Sequence, residues 1–82
     1  MTTLVTGATG FAGINIVRAL AEAGEQVVAL DTVGASDECH RYITDLEEKI
    51  DFVVGDVLDA TRTLKIAKET GAQRIVHAAA IT

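Results

Sequence analysis

Thr6-Gly7-Ala8-Thr9-Gly10-Phe11-Ala12-Gly13 is the stretch from which the fold can be read. It follows a short apolar run, Leu4-Val5, and leads into an amphipathic stretch from Phe11 to Ala23. A strand, a glycine turn and a helix, in that order, form the setting in which a loop holds the pyrophosphate of a dinucleotide. The glycines are spaced G-x-x-G-x-x-G. Gly7 lets the chain turn off the strand where a Cβ would clash. Gly10 lets the backbone approach a phosphate and leaves a positive φ open, and Gly13 lets the helix lie tight against the sheet. The free N–H groups and partial positive charge at the helix start then face the anion. Glycines at such a turn can also be purely geometric, so the reading needs a second support.

The next strand supplies it. Gly24 closes the first helix, Glu25-Gln26 lead into Val27-Val28-Ala29-Leu30, and the run stops at Asp31, eighteen residues beyond Gly13. A carboxylate about 20 residues past the glycines, at the end of the second strand, is placed to accept hydrogen bonds from the adenosine ribose. It also repels a 2′-phosphate. Thr32, Val33 and Gly34 offer no cation to receive one, so NAD is expected over NADP. The competing role for Asp31 is that of a loop residue opening a turn.

The chain has 82 residues and a formal charge of −5, with a pI near 4.7 and a mean hydropathy of +0.30. These values fit one acidic α/β unit near the lower size limit of an independent domain. Its basic residues are scattered singly, which argues against nucleic acid as a partner. No apolar run approaches the ~18 residues of a membrane span, and no signal peptide is visible. A single cysteine, Cys39, rules out an internal disulfide and fits a reducing, cytoplasmic setting. It reads as a small inert apolar residue.

Period and punctuation give alternating elements. Strands are expected at Thr3–Thr6, Val27–Leu30, Ile50–Val54 and Arg74–Ile81, although the alanine tail of the last suits a loop or helix equally. Helices are expected over Phe11–Ala23, with Ile14, Val17, Leu20 and Ala21 on one face, and from an N-cap at Ser36 to about Lys49. The third helix starts at a cap on Asp59 or Thr61 and ends at Gly71, with Leu64, Ala67 and the Lys68 stem on its buried face. Alternation of this kind with nearly continuous apolar strands predicts an α/β fold, half of a doubly wound Rossmann fold. Its parallel sheet should have order 3-2-1-4, with the ligand crevice between strands one and four.

Four segments now meet a known pattern: Thr6 to Gly13, the strand-ending Asp31, Gly55-Asp56-Val57, and Val76-His77-Ala78-Ala79-Ala80. In this order they resemble the extended branch of the short-chain dehydrogenase/reductase superfamily, which includes NAD-dependent nucleotide-sugar epimerases, dehydratases and related oxidoreductases. The resemblance implies that Phe11 and Ala12 give backbone N–H groups to the pyrophosphate, with Gly7, Gly10 and Gly13 shaping the loop. It implies that Asp56 accepts from the adenine amino group while the Val57 backbone meets the ring edge. It also implies that Ala78, Ala79 and Ala80 line the path to the nicotinamide. From the residues alone, the competing role for Asp56 is that of a turn or cap residue before Asp59. His77, inside an apolar strand, reads as a packed core histidine, and His40 carries no signal.

Members of that superfamily carry a Ser or Thr and a Tyr-x-x-x-Lys pair well beyond the fourth strand. Here Tyr42, the one tyrosine, has Leu46 four residues on. No catalytic or metal-ligating residue is therefore assigned. The chain reads as the N-terminal, cofactor-binding fragment of a larger enzyme with a small-molecule substrate, inactive and marginally stable alone. Its apolar fourth strand would form an open edge, so self-association into a homo-oligomer is expected. A non-catalytic dinucleotide sensor on the same fold is the competing reading.

Overall fold

The computed structural model describes residues 1–56 and 59–78. Strands β1 (Thr2–Thr6), β2 (Gln26–Asp31), β3 (Ile50–Val54) and β4 (Arg74–His77) alternate with helices α1 (Phe11–Glu22), α2 (Asp37–Ile43) and α3 (Ala60–Thr70). All strand pairs are parallel and the order is β3-β2-β1-β4, as the alternation predicts. Register places Thr6 beside both Leu30 and His77, so β1, β2 and β4 end level with one another.

Side-chain alternation along the strands divides the core in two. Val5, Val27, Ala29 and Ile50 face α1, where Ile14, Val17 and Ala21 are buried and Leu20 partly so, together with Ile43 of α2. Leu4, Val28 and Leu30 face α3 and meet Ile66 and Ala67. Both faces of β1 and β2 are thus covered, which explains why their sequences are continuously apolar.

Three expectations need correction. Leu64 is 62% exposed, and the buried face of α3 is Thr63, Ile66 and Ala67. Leu64 lies two residues from Ile66, about 200° around the helix, so the two cannot share a face. The second helix does not run through to Lys49: α2 ends at Ile43 and a 3-10 turn covers Thr44–Lys49. Thr44 Oγ1 donates to the His40 carbonyl at 2.6 Å, and Arg18 Nη1 donates to the Tyr42 carbonyl, so side chains take oxygens that a continuing helix would use. Arg18 also grips Asp45 through both nitrogens at 3.0 and 3.1 Å, drawing this segment onto α1. Finally, β4 stops at His77. The remainder of the expected strand, from Ala79, lies outside the described residues.

The caps of α3 follow the sequence. Asp59, of the two candidates, accepts the Arg62 N–H at 3.0 Å, and Gly71 takes φ +72° where the helix ends. At the opposite end of the sheet from the glycine loop, buried Thr3 donates to Glu25 Oε1 at 2.7 Å. Arg74 Nη2 binds the same carboxylate and Arg74 Nε donates to Thr3 Oγ1 at 3.2 Å. This cluster ties the start of β4 and the α1–β2 turn to β1. The Thr3 hydroxyl, and then Arg74, hold the Glu25 carboxyl below its ordinary range.

Two outcomes follow from this packing. Leu4→Ala removes a fully buried side chain and should cost about 2–5 kcal/mol in urea unfolding, whereas Leu64→Ala should change stability by no more than about 0.5 kcal/mol. Because the folded-state pKa of Glu25 is depressed, its contribution is present above the ordinary carboxylate value and lost as pH falls through the folded one. Glu25→Gln should therefore lower the melting temperature at neutral pH and flatten the acid limb. Melts from pH 7 downward check this; parallel wild-type and variant curves would contradict it.

Candidate functional site

At the C-terminal ends of the strands, β1 passes into Gly7, whose φ of +69° lies in the region that only glycine enters freely. The loop is then fixed by backbone bonds: Ala8 N–H to the Leu30 carbonyl at 3.2 Å and Gly10 N–H to the Gly7 carbonyl at 3.3 Å. Gly13 is required by space. A Cβ built there would stand 2.0 Å from the Gly7 carbonyl oxygen and 2.8 Å from the Ala8 Cα. The first turn of α1 therefore lies directly on the loop, and not only against the sheet.

Gly10 behaves differently. Its φ is −73°, so the positive φ left open by the sequence is not used. A Cβ there would meet only the Gly7 carbonyl oxygen, at an ordinary 3.6 Å. Among the described residues nothing requires glycine at this position. What remains is the outward-facing space that a larger side chain would fill.

Gly10 is the N-cap of α1 and brings no side-chain acceptor, and no acidic residue stands in the first turn. The N–H groups of Phe11, Ala12 and Gly13 have no partner within the helix geometry, and the dipole adds partial positive charge. The other two helices start differently, with Ser36 accepting from Cys39 N–H at 3.2 Å and Asp59 accepting from Arg62 N–H. Phe11 itself is 89% exposed beside this terminus.

Asp31 lies next to the loop because β2 pairs with β1. Its Oδ2 accepts from the Thr9 N–H at 3.0 Å and the Thr9 hydroxyl at 2.8 Å. Its Oδ1 accepts from the Thr32 N–H at 2.7 Å and the Thr32 hydroxyl at 3.3 Å. Partial burial pushes the carboxyl up, but the bonds from Thr9 and then Thr32 outweigh it and leave the pKa below the ordinary value. The group is held as an anion. The Asp31 carbonyl accepts from Gly55 N–H at 2.8 Å, which brings the end of β3 to the same place. Asp56 is exposed beside it, with its carbonyl accepting from Asp59 N–H at 3.0 Å as in a turn.

The structure thus brings Gly7, Gly10, Phe11, Ala12, Gly13, Asp31 and Asp56 to one end of the sheet. Ala78 is there too, but its side chain is 3% exposed and packs with Val5 and Ala8 in the α1-side core. Val57, Ala79 and Ala80 lie outside the described residues. His77 is not the packed core histidine expected: it is exposed, on an edge strand, with Nδ1 3.0 Å from the Thr6 hydroxyl. Cys39 is half-buried and its thiol donates to the Thr9 carbonyl at 3.6 Å. The residue that sequence reasoning missed is Thr9. The available signal was its place in the loop next to the strand that Asp31 ends, as the one side chain between Gly7 and Gly10 that can donate a hydrogen bond. Among the described residues no group of three metal-ligating side chains occurs, and no helix is long and apolar enough to cross a membrane.

Residues 3–82 match the NAD dependent epimerase/dehydratase family, and the chain belongs to it. It is 41% identical over 68 residues to an ADP-L-glycero-D-manno-heptose-6-epimerase of Thiobacillus denitrificans, covering 82% of this chain and 18% of that protein. It is 38% identical over 80 residues to a UDP-glucose 4-epimerase of Mycolicibacterium smegmatis, covering 98% and 25%. Among solved structures, dTDP-glucose 4,6-dehydratase of Bacillus anthracis in complex with NAD superposes with a TM-score of 0.77 at 26% identity, over 94% of this chain and 26% of that one. The chain therefore spans about a quarter or less of the length of these relatives.

The two helix-start glycines should separate on substitution. Gly13→Ala should cost about 1–3 kcal/mol or more, because backbone must move to admit the methyl group. Gly10→Val should cost at most about 1 kcal/mol, the loss of a favourable N-cap residue. Urea unfolding of both variants decides this, and equal losses would refute the distinction.

Proposed function

We propose that this chain is the NAD-binding part of an NAD-dependent epimerase or dehydratase whose substrate is a nucleotide sugar. The observation that carries the reading is the uncapped, acid-free N-terminus of α1, opening onto free space at Gly10 with the Asp31 carboxylate on the adjoining strand. Those residues fit a dinucleotide. The Phe11 and Ala12 N–H groups would hold the pyrophosphate, for which a helix N-terminus is suited. Asp31 would accept from the ribose diol, exchanging the Thr32 hydroxyl, the longest of its four bonds at 3.3 Å. Asp56, at the end of β3, would meet the adenine. Bound NAD supplies hydride acceptance and return; the protein supplies placement and electrostatics.

The chain's own contribution is to fix that ligand and to exclude its phosphorylated analogue. An ionised Asp31 repels a 2′-phosphate, and no Lys or Arg occupies positions 32–34 to offset the repulsion. The names of the relatives, an ADP-heptose epimerase, a UDP-glucose epimerase and a dTDP-glucose dehydratase, support the nucleotide-sugar reading. They also favour an enzyme over a non-catalytic sensor.

Calorimetry on the intact protein tests the proposal. NAD should bind more tightly than NADP, and Asp31→Ala should narrow the difference by weakening NAD by about 1.5–3 kcal/mol, the worth of a hydrogen bond to a charged group. Gly10→Val should lose NAD binding with an unchanged circular dichroism spectrum. Equal or tighter binding of NADP would sink the choice of cofactor, and normal NAD affinity in Gly10→Val would sink the phosphate role of the loop.

A further inference from the structure

Asp31 is already engaged before any ligand arrives. A carboxylate has about four lone-pair directions, two on each oxygen. Both directions on Oδ2 are taken by Thr9, through its N–H at 3.0 Å and its hydroxyl at 2.8 Å. On Oδ1 the Thr32 N–H at 2.7 Å takes one, and the Thr32 hydroxyl at 3.3 Å holds the other weakly. The protein therefore presents one exchangeable acceptor position, on a defined oxygen. An aspartate side chain has a broad, two-fold torsion at its carboxylate, so this orientation has to be imposed. Backbone N–H groups alone leave Oδ2 with a single partner.

Thr9 is itself held from the opposite side. Its carbonyl accepts from the Cys39 thiol of α2 at 3.6 Å, while its N–H and hydroxyl point to β2. Loop, strand end and α2 meet at this one residue, within the turn that leads to the uncapped N-terminus of α1.

We propose that Thr9 is a positioning residue that locks the Asp31 carboxylate in place, and so sets the discrimination between ribose with a free 2′-hydroxyl and ribose bearing a 2′-phosphate. This rests on the reading that Asp31 meets the ribose. With the Thr9 hydroxyl present, Asp31 cannot swing aside to admit a 2′-phosphate, and the acceptor position that the Thr32 hydroxyl holds weakly stays aimed at the diol. Without that hydroxyl the carboxylate gains freedom to turn, which weakens NAD and relieves the repulsion of NADP together.

The test is calorimetric binding of NAD and NADP to the intact protein and to Thr9→Val, Thr9→Ser and Asp31→Ala. Thr9→Val keeps the shape and removes the donor. It should raise the NAD Kd by about tenfold, in keeping with one charged hydrogen bond, and shrink the NADP-to-NAD ratio of Kd values by more than that, because NADP binds more tightly as NAD weakens. Thr9→Ser restores the donor and should return both quantities to within about twofold of wild type, a rescue that a merely structural role for the threonine methyl would not give. If Thr9→Val fails to fold by circular dichroism, Thr9→Ala is measured in its place. An Asp31→Ala protein with unchanged NAD affinity would remove the underlying reading. Weakened binding in Asp31→Ala beside wild-type behaviour in Thr9→Val would overturn the role of Thr9 alone. So would an equal loss for both nucleotides in Thr9→Val, or failure of serine to rescue.

Discussion

Gly13 meets the loop that precedes it so closely that a β-carbon built there would stand 2.0 Å from the Gly7 carbonyl oxygen. Much else depends on this backbone-to-backbone contact. It sets the height at which α1 crosses the sheet, and so which of its residues, Ile14, Val17 and Ala21, reach Val5, Val27 and Ala29. It also leaves the first turn of α1 at the level where β1, β2 and β4 end. The helix terminus, the end of β2 and the end of β4 converge because one helix is allowed to sit lower than a side chain would permit.

A second constraint is electrostatic and follows from the first. Bringing the helix start to the end of β2 places the loop within reach of Asp31, and the Thr9 bonds hold that carboxylate ionised despite its partial burial. Uncompensated N–H groups and a fixed anion stand side by side. An anionic group of a ligand is attracted to the former, while a neutral diol suits the latter. A dinucleotide presents both, in that order, along one molecule. The net charge of −5 does not contradict an anion site, because no acid lies in the first turn of α1.

Most of the fold was legible in the sequence, and the failures have particular causes. Strand and helix alternation, glycine punctuation and the apolar strands β1 and β2 led directly to the sheet order. Leu64 was misplaced because the spacing i, i+3, i+4 fits two phases on a short helix, and only packing of Ile66 against Leu4 and Leu30 selects one. The break after Ile43 depends on Arg18 arriving from α1 to take the Tyr42 carbonyl, a tertiary contact that no local pattern encodes. His77 was read from its apolar neighbours as buried, yet β4 is an edge strand and, among the described residues, no further strand lies beside it. Of the site, positions 7, 10, 13 and 31 were visible through spacing. Thr9 was not, since its role appears only once the register puts the β2 end against the loop.

The glycines of the motif do not carry equal weight for function, and the structure separates them. Gly7, with φ +69°, and Gly13, with its overlapping Cβ, are demanded by the backbone path. A protein that used this fold and bound nothing would still need both. Gly10 adopts an ordinary backbone conformation and has room for a side chain. The missing cap on α1 is likewise no requirement of folding, since α2 and α3 both have one. A Ser or Asp at position 10 would satisfy a helix N–H group and stabilise α1 by roughly a few tenths of a kcal/mol. The chain forgoes that at the helix start that lies on the glycine loop, next to the ends of β1 and β2. Features that folding does not need, and that cost stability where they stand, are the ones that point to a ligand.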